Sequence, residues 1–118
     1  MSDPDAEGRA SAPLDVLVAY VPPSHTEALL AALFAAGAGA VGEYRECAWV
    51  TSGTGRFRPV GAARPTVGLV GELELLPEDR VELVLERPLR RQVVAALRAA
   101  HPYETPAFHL IESADPDA

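Results

Sequence analysis

Residues 101–106 read His101-Pro102-Tyr103-Glu104-Thr105-Pro106, which sets an imidazole, a phenol and a carboxylate among two prolines. Proline fixes its own φ at about −65° and moves the preceding residue out of the helical region. His101 and Thr105, which precede the two prolines, are therefore predicted to be extended. We expect this segment to end a helix, to hold three polar side chains on a stiff turn, and to lead into an edge strand.

The residues on both sides agree with such a turn. Upstream, Pro88 suits the first turn of a helix, and apolar residues recur behind it at helical spacing. Downstream, residues 107–111 are predicted to form a strand. The apolar face of the helix comprises Leu89, Val93, Ala96, Leu97 and Ala100, with Arg90, Arg91 and Arg98 facing outward.

The N-terminal half is predicted to begin with a strand and a helix. Residues 14–21 are a β-rich run of eight residues that a Pro-Pro pair ends. Ser24 and Glu27 have the spacing of a capping box, in which a hydroxyl and a carboxylate bond to free backbone amides. With Gly37 as a C-terminal stop signal, the helix is expected over residues 24–36.

The middle of the chain is predicted to contain further strands and a long loop. Residues 44–51 are β-rich, and the Gly- and Arg-rich segment 52–68 has the composition of a structured loop. Residues 69–76 and 80–86 alternate apolar and acidic side chains around Pro77-Glu78-Asp79. This pattern is typical of an antiparallel hairpin with one wet face.

This order of elements predicts an α+β fold, a ferredoxin-like βαββαβ sandwich with an extra strand in a hairpin and a long Gly/Arg-rich loop. The domain is expected over residues 14–112, between disordered tails at 1–13 and 113–118. Two helices cover only one face of such a sheet. The other face is therefore predicted to be buried by neighbouring subunits in a homo-oligomer, a trimer or a higher ring.

Charge and composition argue against several classes of protein. The 118 residues carry a net charge of −7, of which −5 belongs to residues 1–13 and 112–118. The remainder has no basic stripe, which argues against nucleic acid and against a membrane surface as partners. Cys47 is the single cysteine, so no intrachain disulfide is possible. With no signal peptide and no long apolar run, the expected location is the cytoplasm.

Four short motifs follow one another along the chain. They are Ala36-Gly37-Ala38-Gly39, Gly53-Thr54-Gly55-x-Phe57-Arg58-Pro59, Gly68-x-x-Gly71-x-x-Glu74 and His101-Pro102-Tyr103-Glu104-x-Pro106-Ala107. Together, over residues 14–112, they resemble the YqfO-like domain. This domain occurs as an insertion in bacterial NGG-interacting-factor-three (Nif) proteins and as a free-standing small protein, which is the form expected here. It is similar in fold to the CutA-like and PII-like trimeric regulators.

The resemblance implies an accessory domain, because the dinuclear metal centre of the larger proteins belongs to flanking domains outside this sequence. The family motif continues with a second acidic residue and then Ala-Tyr-Asp. Thr105, Phe108 and His109 stand at those positions here. If the acids bind a cation in relatives, His109 would supply a nitrogen ligand instead.

One interpretation of the proline-flanked segment is a site for a divalent metal ion. His101 and Glu104 offer a nitrogen and an oxygen on a rigid turn, and His109 is the third candidate ligand. His25 and Cys47 would join only across the fold or across a subunit boundary.

The same segment also permits a structural interpretation. His101 would cap the second helix, and Tyr103 would pack at a subunit boundary. Glu104 would then accept a hydrogen bond from a backbone amide or an arginine.

Gly53, Thr54 and Gly55 form a second candidate site, for a small-molecule ligand, with Tyr103 as a further contact. Glycines leave backbone amides free to surround an anion, and Arg56, Arg58 and Arg64 would add charge for a carboxylate or phosphate. By analogy with PII-like proteins, a nucleotide is one possible ligand. The alternative is a glycine turn that arginines lock through carbonyl hydrogen bonds.

No catalytic constellation is visible in the sequence, neither a nucleophile elbow nor paired histidines at metal spacing. We therefore expect a small cytoplasmic PII/CutA-like regulatory module that binds a ligand or a metal ion and has no catalytic activity of its own. The alternatives are a protein of divalent-cation tolerance that sequesters the ion, and an oligomeric scaffold without a ligand.

Overall fold

A computed structural model describes residues 12–118. Within them, the strands are β1 (Leu14–Val21), β2 (Trp49–Phe57), β3 (Glu74–Glu86) and β4 (Phe108–Glu112), and the helices are α1 (Thr26–Ala35) and α2 (Arg90–Ala100). A 3₁₀ turn precedes each helix, at Pro23–His25 and Arg87–Leu89. The strands form one antiparallel sheet in the order β2-β3-β1-β4. This topology confirms the predicted ferredoxin-like βαββαβ fold.

The hydrophobic core lies between the two helices and one face of the sheet. Alternate residues of β1 and β3 point towards the helices, as the period of a strand requires. Val93 and Leu97 of α2 are fully buried, and Leu89 and Ala100 pack against the same core, so the predicted apolar face of α2 is confirmed. The other buried members are Leu17, Ala19, Val21, Leu29, Leu30, Leu33, Ala38, Val81, Leu83 and Leu85.

The opposite face of the sheet is partly apolar and partly charged. Val16 and Val84 pair across β1 and β3 on this face, and Ile111 extends the same row onto β4. Arg80 and Glu82 form an ion pair there, with nitrogen and oxygen 2.8 Å apart. No helix of residues 12–118 packs on this face, and its burial by neighbouring subunits stays a prediction.

The predicted hairpin around residues 77–79 is wrong, because β3 is one continuous strand of 13 residues. It pairs with β2 over residues 74–82 and with β1 over residues 79–86. Pro77, which has no N–H, therefore lies where β3 has a neighbour on one side only, a position that a sheet tolerates. The predicted extra strand is the first part of β3.

The second strand also differs from the prediction, because β2 begins at Trp49 and runs to Phe57. Gly53 and Gly55 consequently lie in an edge strand and not in a loop. Beyond the end of β1, β2 and β3 form a two-stranded extension with an irregular connection over residues 58–73. We call this extension, residues 53–78, the arm.

The predicted capping box at the start of α1 does not form. Ser24 Oγ lies 2.9 Å from His25 Nδ1, and the α-helix begins only at Thr26. Thr26 donates instead to the buried carboxylate of Asp79, at 2.6 Å, which ties the start of α1 to β3. At the other end, Gly37 has φ +103° and ends the helix as predicted.

The predicted tail over residues 1–13 lies almost wholly outside the described residues. Residues 113–118 are exposed and form neither a strand nor a helix. None of the helices in residues 12–118 is long and apolar enough to cross a membrane.

A buried carboxylate ties β1 to the start of α2. Asp15 is fully buried, and it accepts hydrogen bonds from Arg90 Nε at 2.6 Å and from Arg87 Nε at 2.7 Å. Arg90 also binds Glu112 of β4, at 3.0 Å. The hydrogen bond from Arg90 is the largest cause that holds the pKa of Asp15 below its usual value, against the opposing effect of burial.

Replacing Asp15 with Asn is expected to lower the free energy of unfolding by about 2–3 kcal/mol, because the charge-assisted hydrogen bonds from Arg87 and Arg90 are weakened. The folded-state pKa of Asp15 is below its unfolded value. Its contribution is therefore complete above about pH 4 and is lost as the pH falls further. Urea denaturation at pH 7 measures the effect, with Glu86→Gln at an exposed position of β3 as control. Equal stabilities of Asp15→Asn and the wild type would contradict this assignment.

Candidate functional site

His101 anchors the proline-flanked turn, residues 101–107, to the core. It occupies the C-cap position of α2, and its side chain is 6% exposed. Its Nε2 lies 2.6 Å from the carbonyl oxygen of Tyr20, and the backbone amide of Tyr103 donates to its Nδ1 at 3.1 Å. Because Nδ1 accepts that hydrogen bond, it carries no proton, and the ring is neutral with Nε2–H donating to Tyr20.

The structure does not bring the three predicted metal ligands together in one chain. Both ring nitrogens of His101 already have partners, and Glu104 accepts the backbone amide of Arg64 at 3.1 and 3.2 Å. His109 is exposed on β4, opposite Val18. No group of three His, Cys, Asp or Glu side chains in residues 12–118 is arranged to hold a metal ion. A metal site on these residues stays a prediction that would need ligands from a second chain.

The other two candidate metal ligands have contacts within their own segments. His25 contacts Ser24 at the start of α1. Cys47 lies in the segment before β2, with its Sγ 3.8 Å from the carbonyl oxygen of Arg45.

A cavity of about 260 Å³ lies between the arm and the proline-flanked turn. We call it the cleft. Two hydrogen bonds hold its sides together, one from the amide of Arg64 to Glu104 and one from the hydroxyl of Thr66 to the carbonyl oxygen of Pro102 at 2.9 Å. Its apolar walls include Phe57, Pro59, Pro65 and Val67, and its polar lining includes Arg56, Arg58, Glu78 and Tyr103.

A second, larger cavity of about 530 Å³ lies on the sheet face beside the cleft. We call it the groove. It is lined by the Gly53-Thr54-Gly55 run of β2, by Tyr20 and by Arg80. The predicted ligand-binding residues therefore fall into two neighbouring cavities, and Glu78 lines both of them.

Glu78 is the polar residue of this site that the sequence did not reveal. Its side chain lies against Gly55, where even a methyl group would overlap the carboxylate. Burial raises the pKa of Glu78. The available signal was the Gly-x-Gly spacing, because glycines on one face of a strand leave room for a side chain of the neighbouring strand.

Tyr103 lines the cleft and carries an unpartnered polar group. Its ring packs on Phe57, with centroids 6.1 Å apart, and on His101 at 5.1 Å. Its hydroxyl oxygen is buried and has no hydrogen-bond partner within residues 12–118. Burial, with a smaller effect from the charge of Glu78, raises the pKa of Tyr103.

The three predicted arginines have different roles. Arg58 donates to the carbonyl oxygen of Gly71 at 2.6 Å, as in the structural interpretation of the glycine segment. Arg64 contributes its backbone amide to Glu104. Arg56 is exposed, and within the described part of the chain its side chain has no hydrogen bond or ion pair. The guanidinium groups of Arg56 and Arg64 therefore both lack a partner within residues 12–118, and of these two residues Arg56 lines the cleft.

Comparison with known proteins gives the family. No protein-family model matches the chain. It is 48% identical over 106 residues to the GTP cyclohydrolase 1 type 2 homolog of Mycobacterium tuberculosis, which is 90% of this chain and 28% of that protein. A solved structure of a Bacillus cereus protein related to NIF3 matches with a TM-score of 0.76 and 33% identity, over 90% of this chain and 27% of that one. The chain belongs to the NIF3/YqfO family.

The predicted resemblance to the YqfO-like domain is thus confirmed. The chain spans little more than a quarter of the length of the curated relatives it matches. The PII-like protein CutA of Nostoc has the same fold, with a TM-score of 0.64 and 15% identity over 88% of this chain and 85% of that one. At that identity the likeness shows the fold alone.

The stability of the domain is expected to fall as the pH drops below about 6.5, because His101 is held neutral. Burial lowers the pKa of its imidazole, the Tyr20 carbonyl opposes this, and the charge of nearby His25 adds to it. The unfolded state therefore binds the proton more readily, and the contribution of His101 is complete only above the unfolded pKa.

Melting temperatures between pH 8 and pH 5 measure this effect. His101→Gln keeps a donor for the Tyr20 carbonyl but cannot titrate, so its melting temperature should depend less on pH than that of the wild type. His109→Gln, on the exposed edge strand, is the matched control. Identical pH profiles for His101→Gln and the wild type would contradict the neutral assignment.

Proposed function

We propose that this chain is a regulatory module that binds a small ligand in the cleft and has no catalytic activity of its own. It acts as a homo-oligomer, a trimer or a higher ring, in the cytoplasm. A change in ligand occupancy would alter the contacts of the arm and so be passed to a partner.

The buried hydroxyl of Tyr103 is the observation that carries this proposal. Burying a hydroxyl without a hydrogen bond costs free energy, so buried polar groups in native proteins almost always have a partner. Tyr103 lines the cleft, whose apolar sides and few polar groups are the usual composition of a ligand site. A ligand that bonds to Tyr103 would supply the missing partner.

Catalysis receives no support from the arrangement of side chains. The hydroxyls of Ser52 and Thr26 both bond to Asp79, and no histidine completes a nucleophile–base pair with them in the described residues. The Mycobacterium tuberculosis relative is called a GTP cyclohydrolase 1 type 2 homolog, but this chain matches only 28% of its length. We therefore propose that GTP is not turned over by this chain.

The surface of the arm is evidence for the proposed homo-oligomer. Six of the twelve exposed large apolar side chains in residues 12–118 lie on it, which is the kind of surface that a partner covers. The sheet face that no helix covers carries two more exposed apolar side chains, Trp49 at 66% exposure and Ile111 at 52%. A second copy of this chain is the proposed occupant, in agreement with the resemblance to trimeric regulators.

Ligand binding should raise the melting temperature, because a ligand that binds only the folded state stabilises it. The panel for the purified 118-residue protein is ATP, GTP, inorganic phosphate, the standard amino acids, and divalent metal ions with and without chelator. Tyr103→Phe should reduce the shift by removing the hydroxyl. Tyr44→Phe, at a tyrosine that is 74% exposed in the loop before β2, should leave it unchanged.

The same panel separates the alternatives. A shift only with metal ions that chelator reverses would favour cation sequestration. No shift with any compound would favour the scaffold and would contradict the proposed function. Turnover of GTP by the purified chain would contradict the absence of catalysis.

Replacing Leu75 with Glu should dissociate the oligomer, because it puts a charge in the middle of the apolar surface of the arm. Light scattering coupled to size-exclusion chromatography measures the mass of the wild type and the variant. Ala31→Glu, on the exposed side of α1, is the matched control and should keep the wild-type mass. A monomeric wild-type protein would contradict the proposed assembly.

A further inference from the structure

We propose that Glu78 binds an arginine of a second copy of this chain, so that two subunits share the groove and the second one supplies its cation. This inference rests on the proposed function, since it names a residue that joins the subunits of the proposed oligomer.

The register of the sheet places Glu78 on the face that no helix covers. Tyr20 pairs with Arg80, and the core residues Ala19 and Val81 pair one position away. Successive side chains of a strand point to opposite faces, so Tyr20 and Arg80 point away from the helices. Glu78 lies two residues before Arg80 and therefore points the same way. The groove is thus part of the sheet face that a second copy is proposed to cover.

The carboxylate of Glu78 is half-buried without a cation beside it. Within residues 12–118, Glu78 has no hydrogen-bond donor and no ion pair. Arg80, the next residue of β3 on the same face, is bonded to Glu82 at 2.8 Å. A subunit that covers this face would remove the remaining water from the carboxylate. A buried carboxylate needs a cation with hydrogen-bond donors, which a guanidinium supplies.

The floor of the groove next to Glu78 is backbone without side chains. Gly53 lies directly opposite Glu78 in the strand pair, and Gly55 is the next residue of β2 on the same face. Because β2 is the edge strand of the sheet, another molecule has access to this floor. Glycines within a strand are typical of places where another chain approaches closely. The groove, at about 530 Å³, has room for the side chain of an arginine.

Arginine is the permanent side-chain cation that this chain can offer, because the sequence contains no lysine. Arg56, Arg64 and Arg91 are exposed, and within residues 12–118 their guanidinium groups have no hydrogen bond, ion pair or aromatic ring as partner. Arg56 pairs with Leu75, which sets it on the opposite face of β2 from Glu78. Arg91 belongs to α2, on the covered side of the sheet. Both are therefore turned away from the Glu78 of their own chain.

Sedimentation velocity of the full 118-residue chain, over a range of concentrations, measures the strength of association. Glu78→Gln keeps the shape of the side chain but removes its charge, and it should weaken association about tenfold to a hundredfold. Glu27→Gln, at an exposed glutamate of α1, removes the same charge and should leave association unchanged.

Reversal of charge identifies the arginine. Glu78→Arg should dissociate the oligomer, because it sets two cations against each other. It is then combined in turn with Arg56→Glu, Arg64→Glu and Arg91→Glu. One of the three double variants should regain the wild-type mass, because opposite charges meet again. A side chain with a merely structural role within its own subunit would not show this rescue.

A pair of glycine variants tests the position of Glu78 without changing its charge. A methyl group at Gly55 overlaps the carboxylate, whereas a methyl group at Gly53 meets nothing within 4 Å. Gly55→Ala should therefore move the carboxylate and weaken association, and Gly53→Ala on the same strand should weaken it less. A melting curve of each variant establishes that it is folded.

Each outcome decides the inference. An oligomer whose association is unchanged by Glu78→Gln and by Gly55→Ala would overturn it and leave the proposed assembly intact. Stronger association of Glu78→Gln would also overturn it, since the carboxylates of the copies would then repel one another. So would a loss of the oligomer in Glu78→Arg that none of the three reversals restores. A monomeric wild-type protein would overturn the proposed assembly together with this inference.

Discussion

The first five residues of β3, 74–78, extend past the end of β1 and pair with β2 alone. The arm, the groove and the cleft all depend on this overhang. A strand that loses one neighbour can accommodate Pro77, and it keeps its register through β2 alone. The overhang carries Glu78 to the junction of the two cavities. It also carries the irregular connection of residues 58–73 over the proline-flanked turn, where Arg64 and Thr66 bond to it.

The proline-flanked turn forms the other side of the candidate site, and two features make it rigid. The prolines at 102 and 106 restrict the backbone, and His101 bonds to both Tyr20 and the amide of Tyr103. The histidine therefore serves to orient Tyr103 towards the cleft. In the proposed function, a ligand bound between this turn and the arm would be linked to whatever covers the apolar surface of the arm.

The elements that local chemistry determines were predictable from the sequence. The apolar face of α2, the stop at Gly37 and the change from helix to strand around residues 101–106 depend on periodicity and on the restricted backbone of Gly and Pro. The hairpin at residues 77–79 and the loop at Gly53–Gly55 were predicted wrongly, because Pro, Asp and Gly signal turns locally. Pairing along β2 and β3 overrides those signals. Ser24 does not cap α1 for a similar reason. The helix begins at Thr26, whose hydroxyl donates a hydrogen bond to Asp79, a residue that is distant in the sequence.

The candidate site was predictable only in part, because strand pairing positions one of its residues. Tyr103, Arg56 and Arg58 do line the cleft, but Glu78 was hidden inside a supposed turn. Its importance depends on its position against Gly55 across the strand pair. No spacing within one segment reports that contact.

Two-dimensional ¹H–¹⁵N NMR spectra of the chain, recorded during addition of a compound that stabilises it, would locate the ligand on the molecule. We expect the largest changes on the amides of Arg56, Phe57, Glu78 and Tyr103, while those of α1 stay in place. Changes centred on another part of the molecule, with the amides of the cleft unaffected, would contradict the proposed ligand site.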